Sequence, residues 1–215
     1  MRLLITRPQP GADATAAAVS ALGHQPVVQP LLATEAVAWA IPDALPDAVL
    51  LTSAASVRHA GDAAAALMGL PAHAVGGATA AAARAAGWRD VREGPGTVQA
   101  LLDGLAPCRL LHLAGADRTD AQPPAGVAVD VATVYRAVLQ PLAALPAVDG
   151  VLLYSARTAR HFAAEWDRLG GARGAVQLYA ISPAALAAAG TGWAMAAAAP
   201  QPTEAALLAM LPRVG

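Results

Sequence analysis

The residues of this chain best suited to chemistry are hydroxyl, amide and guanidinium donors placed where apolar runs end, and the clearest of them occur twice. Val49-Leu50-Leu51-Thr52-Ser53-Ala54-Ala55-Ser56-Val57-Arg58-His59-Ala60 and Val151-Leu152-Leu153-Tyr154-Ser155-Ala156-Arg157-Thr158-Ala159-Arg160-His161-Phe162 agree at seven of twelve positions, 102 residues apart. In each copy a short apolar run reads as a buried strand, a Ser stands where a helix N-cap belongs, and an Ala/Arg-rich segment reads as the helix. Such strand-to-helix turns point free N–H groups at whatever lies beyond the strand end, which suits an anion. Thr6-Arg7, Gly76-Gly77-Ala78-Thr79, Gly115 and Ser182 stand at comparable strand ends. Singly, these residues are ordinary caps and turns. Together they predict two sheets facing one ligand rich in carboxylates, and argue for binding and positioning over covalent catalysis.

Composition removes several other chemistries. All 14 basic residues are Arg, so there is no P-loop lysine, no Schiff base and no Tyr-x-x-x-Lys reductase pair. Gly76-Gly77-Ala78-Thr79 lacks the G-x-G-x-x-G order of a dinucleotide loop, and no Gly-x-Ser-x-Gly elbow occurs. The five histidines, His24, His59, His73, His112 and His161, are scattered without metal-type spacing. His59 and His161 repeat with the duplicated stretch and read as helix-surface or half-buried residues. Cys108 is the single cysteine, expected buried and inert. A net charge of −1 with no basic, aromatic-interleaved cluster gives no reason to expect nucleic acid. The N-terminus has too short an apolar core for a signal peptide, and the Ala-rich Ser182–Pro200 region reads as helix, turn and strand, so no membrane span and a cytoplasmic location are expected.

Elements that must hold those turns follow in order. Leu3–Thr6 reads as a strand, Gly11–Leu22 as a helix stopped by Gly23, and Val27–Leu32 as a second strand. Strands are also predicted at Val49–Thr52, His73–Gly76, Val91–Glu93, Leu110–Leu113, Val127–Tyr135 and Leu178–Ile181. Thr97–Leu105 and Thr203–Leu211 read as matching helices 106 residues apart, and Arg2-Leu3-Leu4 mirrors Arg109-Leu110-Leu111. The βαβ order implies parallel sheets. Pro-marked connections precede both copies of the duplicated stretch: Ala40 to Asp47 in the first, Gln140 to Pro146 in the second. Two foldings fit: each half of the chain as its own domain, or a swap in which both termini form one domain and the central segment the other. Linkers collect such Pro residues, which leans the reading toward the swap.

The ordered set Thr6-Arg7-Pro8, Pro30-Leu31, Leu51-Thr52-Ser53-Ala54-Ala55-Ser56-Val57, Ala74-Val75-Gly76-Gly77-Ala78-Thr79, Val134-Tyr135-Arg136 and Leu153-Tyr154-Ser155 resembles the uroporphyrinogen-III synthase family over essentially all 215 residues. The resemblance implies an α/β fold of two similar domains, each a parallel five-stranded sheet flanked by helices, joined by a two-stranded connector. The implied domains are residues 1–34 plus 140–215 and residues 38–136, with connectors at about 32–39 and 134–141.

The activity implied is closure of hydroxymethylbilane, with inversion of ring D, to uroporphyrinogen III, with no metal or organic cofactor. The substrate would be a small molecule, handed over by hydroxymethylbilane synthase, and the protein a monomer. Tyr135 matches a family Tyr and is the implied general acid. Arg7, Thr52, Ser53, Ala54, Gly76, Gly77, Thr79, Gly115, Tyr154, Ser155, Ala156 and Ser182 are the implied substrate-binding residues, and Arg118 and Arg157 are further candidates by strand-end position. One departure stands out: Ala185 replaces a hydroxyl that the family often has in the loop after Ser182. Readings from another class are a non-catalytic anion-binding module of the same fold, a receptor-type binding protein, and a degenerate domain of a larger heme-pathway enzyme.

Overall fold

A computed structural model describes residues 1–118 and 120–212. The chain divides into two compact units, Met1–Ala33 with Val138–Gly215, and Thr34–Ala137. The first unit holds β1 (Arg2–Ile5), α1 (Gly11–Ala21), β2 (Gln25–Val28), β9 (Gly150–Leu153), α5 (Ala156–Arg168), β10 (Gln177–Ala180), α6 (Pro183–Ala188), β11 (Met195–Ala198) and α7 (Glu204–Leu208). The second holds β4 (Ala48–Leu51), α2 (Ala54–His59), β5 (Ala72–Ala74), α3 (Gly77–Ala85), β6 (Val91–Glu93), α4 (Val98–Asp103) and β7 (Cys108–Gly115). The chain passes between units within β3 (Leu32–Ala36) and β8 (Val127–Leu139).

The first sheet runs β11-β10-β9-β1-β2, with every pair parallel. The second runs β3-β8-β7-β4-β5-β6, parallel from β8 to β6. Of the two foldings the repeat leaves open, hydrogen bonding thus joins β1 and β2 to the C-terminal strands. The strand count departs from five per sheet, because the second sheet has six. Val27–Leu32 is not one strand: β2 stops at Val28, Gln29-Pro30 intervenes, and pairing resumes in β3 of the other sheet. The Gln29 and Leu31 N–H groups still donate to Ile5 O at 3.1 Å and Thr6 O at 2.9 Å before the chain leaves the first sheet.

The internal repeat extends to single hydrogen bonds. Before each central strand an aspartate accepts the backbone N–H of an arginine on the neighbouring strand: Asp47 from Arg109 at 2.8 Å, and Asp149 from Arg2 at 2.6 Å. The register agrees. Leu3 lies opposite Gly150 as Leu110 lies opposite Ala48, so Ile5, opposite Leu152, is the counterpart of His112, opposite Leu50.

Both central strands, β4 and β9, are buried along their whole length, as parallel strands covered on two faces must be. Each fully buried Leu there contributes roughly 2 kcal/mol of transfer free energy. In the first unit one face of the sheet packs Leu4, Val151, Leu153 and Leu178 against Phe162 and Trp166 of α5, Ala185 of α6 and Trp193. The Phe162 and Trp193 rings stack at 5.5 Å. Its other face packs Leu3, Ile5, Leu152 and Tyr179 against Ala12 and Val19 of α1 and Leu207 of α7.

In the second unit Val49, Leu51, Leu111 and Leu113 pack under α2, α3 and the 3-10 turn Asp62–Leu67. The opposite face, with Ala48, Leu50, Leu110 and Val127, has the six-residue α4 as its helical cover among the described residues. That thin cover is what leaves open space beside β4 and β7. Cys108, at the start of β7, is half-buried rather than buried, and burial with the nearby Asp47 charge pushes its thiol pKa up, away from reactive thiolate. Among the described residues no helix is long and apolar enough to cross a membrane.

Candidate functional site

The duplicated turns form as local chemistry dictates. Ser53, extended at the N-cap of α2, accepts from Ala55 N at 3.1 Å. Ser155 caps α5 by accepting from Thr158 N at 3.1 Å while donating to the Thr158 hydroxyl at 3.0 Å. Ser182 does the same for α6, accepting from Ala185 N at 3.2 Å, so its hydroxyl is engaged in capping. Ala54 and Ala156 are the first residues of α2 and α5. What surrounds the two turns differs.

In the second unit the turn opens onto a cavity of about 420 Å³ lined by Thr52, Ser53, Thr97, His112, Gly115, Arg118 and Tyr135, among others. Beside it is a second cavity of about 220 Å³, with Leu50, Leu102, Val129 and Val131 as its apolar wall, and Val98, His112 and Arg118 common to both. Tyr135 is fixed rigidly. A register shift after Ala114 sets Gly115 opposite Tyr135, and a Cβ on Gly115 would lie 2.6 Å from the phenol Cζ. Gly115 is therefore required by the ring lying on it. On another side His59 stacks with the Tyr135 ring at 5.9 Å, and His59 Nε2 is itself held by Thr34 Oγ1 at 2.8 Å. Among the described residues the Tyr135 hydroxyl has no hydrogen-bond partner.

Not every expected residue joins this cavity. Gly76, Gly77 and Thr79 stand at the start of α3, but of that stretch only the preceding Val75 lines it. The Glu93 carboxylate lies there instead, 3.0 Å from where a Gly77 Cβ would be, a favourable place for a negative charge.

In the first unit the equivalent turn is filled from within. Glu204 Oε1 accepts from Arg7 Nη1 at 3.1 Å, from the Tyr154 hydroxyl at 3.0 Å and from the Thr15 hydroxyl. Arg7 lies over the Tyr154 ring, its Cζ 4.5 Å from the centroid, and its Nε is 2.7 Å from where a Gly11 Cβ would be. Burial raises the Tyr154 pKa, and the Glu204 charge adds to this against Thr15 and Arg7, so the phenol is pushed up to about 12. Burial works to raise the Glu204 pKa too, but hydrogen bonds from Thr15 and Tyr154 and the Arg7 charge outweigh it and leave the carboxyl below its ordinary value. Thr6 is buried and donates to Leu152 O at 2.8 Å, a structural role.

Sequence reasoning missed two residues. Glu204 carries no motif; the one available signal was its place directly after the capping Thr203. His112 was passed over as one of five scattered histidines. It is 6% exposed, its Nε2 lies 2.9 Å from Thr52 Oγ1, and burial, with the Arg118 charge, lowers its pKa to about 4. The signal was its position: a polar residue inside Leu110-Leu111-His112-Leu113, where the counterpart strand has Ile5.

Fold and site together define an α/β protein with two repeat-related sheets, each carrying hydroxyl, amide and guanidinium donors at its strand ends. The chain matches the family described as uroporphyrinogen-III synthase HemD over residues 13–209, and it belongs to that family. In fold it is similar to the uroporphyrinogen-III synthetase of Helicobacter pylori 26695, with a TM-score of 0.64, 15% identity and 98% of each chain covered. A mutant uroporphyrinogen III synthase of the extremely thermophilic bacterium Thermus thermophilus matches with a TM-score of 0.49, 20% identity and 91% of each chain covered. Among curated proteins no sequence relative was found.

Proposed function

We propose that this chain is a uroporphyrinogen-III synthase, a cyclising lyase that closes hydroxymethylbilane, with inversion of ring D, to uroporphyrinogen III in tetrapyrrole biosynthesis. The observation that carries this reading is the family match across residues 13–209. The donor chemistry of the strand ends supports it, because the substrate bears acetate and propionate carboxylates along its length.

Tyr135 is the proposed general acid. Its hydroxyl, on a residue of the cavity wall, protonates the departing hydroxyl, which leaves as water. The resulting azafulvene cation is attacked by ring D to give a spiro intermediate, and refragmentation and reclosure invert that ring. Unassisted, the chain closes without inversion, so holding it in the productive shape is most of the catalysis.

Thr52, Ser53, Ala54 and Gly115 are the proposed donors near Tyr135. Gly76, Gly77, Thr79, Arg7, Tyr154, Ser155, Ala156 and Ser182 complete the proposed substrate-contacting set. The finer architecture is also proposed: domains at 1–34 plus 140–215 and at 38–136, with a two-stranded connector at about 32–39 and 134–141. The division of the chain into two compact units supports it. The protein is read as a cytoplasmic monomer that takes hydroxymethylbilane from the enzyme that makes it.

Supplying hydroxymethylbilane and separating the products by chromatography tests the activity. Isomer III in excess over isomer I is the expected result. Isomer I alone, at the uncatalysed rate, leaves a binding module without the synthase activity.

A further inference from the structure

A buried histidine inside a strand of Leu and Ala needs a reason. Packing does not supply one, because the counterpart position in the other sheet holds Ile5, fully buried among Leu3, Leu152 and Leu207. Nor does the fold use both ring nitrogens. His112 Nε2 meets the Thr52 hydroxyl at 2.9 Å, while Nδ1 has no hydrogen-bond partner among the described residues. Trp166 Nε1 is the one sealed side-chain polar atom there without a partner, so His112 Nδ1 is not sealed, and the residue lines two cavities.

We infer that His112 and Thr52 act as one neutral donor–acceptor pair that, together with Arg118, holds a carboxylate of the substrate in the second unit. This rests on the synthase reading above. The pair works in either tautomer. With the proton on Nδ1, that N–H donates into the cavity while Thr52 donates to Nε2. With the proton on Nε2, the imidazole donates to Thr52 Oγ1, and the Thr52 hydroxyl is free to donate into the cavity. One donor therefore always faces the ligand, with no change of net charge at the site. The guanidinium of Arg118 supplies the positive charge. Burial, helped by the Arg118 charge, lowers the ring's pKa, so a second cation does not compete with it.

The test uses full-length protein and hydroxymethylbilane. His112→Ile installs the residue of the counterpart strand and should fold with an unchanged or higher Tm. It is expected to raise KM about tenfold with a smaller change in kcat, the signature of lost ground-state binding. His112→Gln, whose amide reaches the Nε2 position, keeps the Thr52 contact and is expected to recover most of that loss. Thr52→Val should raise KM in wild type but add little on top of His112→Ile, since the two act as a unit.

Wild-type KM in folded His112→Ile, or strictly additive effects of the two substitutions, would overturn the inference while leaving the synthase reading intact. Should His112→Ile fail to fold, His112→Gln and Thr52→Val decide it, and wild-type KM in both overturns it. Wild-type protein that forms no isomer III overturns the synthase reading, and this inference with it.

Discussion

The two copies of the strand-to-helix turn share a backbone and a capping serine, yet one is occupied and the other open. At Tyr154-Ser155 in the first unit, Glu204 supplies an internal carboxylate that takes up Arg7, Tyr154 and Thr15. At Thr52-Ser53 in the second, the position matching Glu204 is Val98, the first residue of α4 as Glu204 is of α7, and it lines the cavities. Conversely, Ile5 fills the core where the second unit has His112. Glu for Val, Tyr for Thr and Ile for His are among the exchanges between the turn bonded by its own chain and the one that opens onto a cavity.

The largest expected effect is on the open turn. Tyr135→Phe removes the proposed acid and should lower kcat about 100-fold, the lower range for general acid catalysis, with the Tm unchanged because the ring still covers Gly115. Unchanged kcat removes the acid role.

Next, Val98→Glu should convert the open turn into a copy of the occupied one. A carboxylate at the start of α4 suits the helix N-terminus, and it is expected to pair with Arg118 and raise KM roughly 30-fold, about 2 kcal/mol. Unaltered KM in folded protein would break the comparison between the turns.

The reverse change is smaller. Glu204→Gln should destabilise the first unit by about 1 to 2 kcal/mol, discounted for the exposure of its pair with Arg7, and lower the Tyr154 pKa from about 12, measured by the ultraviolet absorbance of the phenolate. Burial, the main cause of the shift, remains, so the drop is partial. No drop would mean that Glu204 does not act on Tyr154.

The smallest effect is on acid stability. The Glu165 carboxylate accepts from Arg168 at 2.7 and 3.0 Å and from Leu142 N at 2.9 Å. Arg168 foremost, against burial and with the Leu142 N–H, lowers its pKa from 4.5 to about 2. A depressed carboxylate stabilises the fold fully above its unfolded value, and that contribution is lost as pH falls from about 4.5 toward 2. Glu165→Gln should flatten the fall of Tm across that window. A wild-type slope in the variant would show that other acids dominate it.

Much of the scaffold was legible because it rests on local rules. Fully apolar runs such as Val49-Leu50-Leu51 and Val151-Leu152-Leu153 announce strands buried on both faces, and Ser53, Ser155 and Ser182 before Ala-rich segments announce helix starts. Val27–Leu32 reads as one strand because its apolar residues run on past the end of β2, yet the regular ladder stops at Val28 and Leu32 already belongs to β3 of the other sheet. The sixth strand of the second sheet is β3, in the stretch expected at about 32–39 as a connector. Of the candidate site, Thr52, Ser53, Gly115 and Tyr135 stood at strand ends or in the recognised family pattern. His112 and Glu204 did not, since each acquires its role from a partner far along the chain: Thr52, 60 residues from His112, and Arg7, 197 residues from Glu204.

By itself, then, the sequence determined the repeated unit of strand, capped turn and helix, and the class of ligand such turns suit, because period, capping and composition act within a few residues. The tertiary structure alone decided which sheet each terminal strand joins and which donors are already satisfied. Both depend on groups brought together from far along the chain, where register and burial, and not local propensity, set the energy.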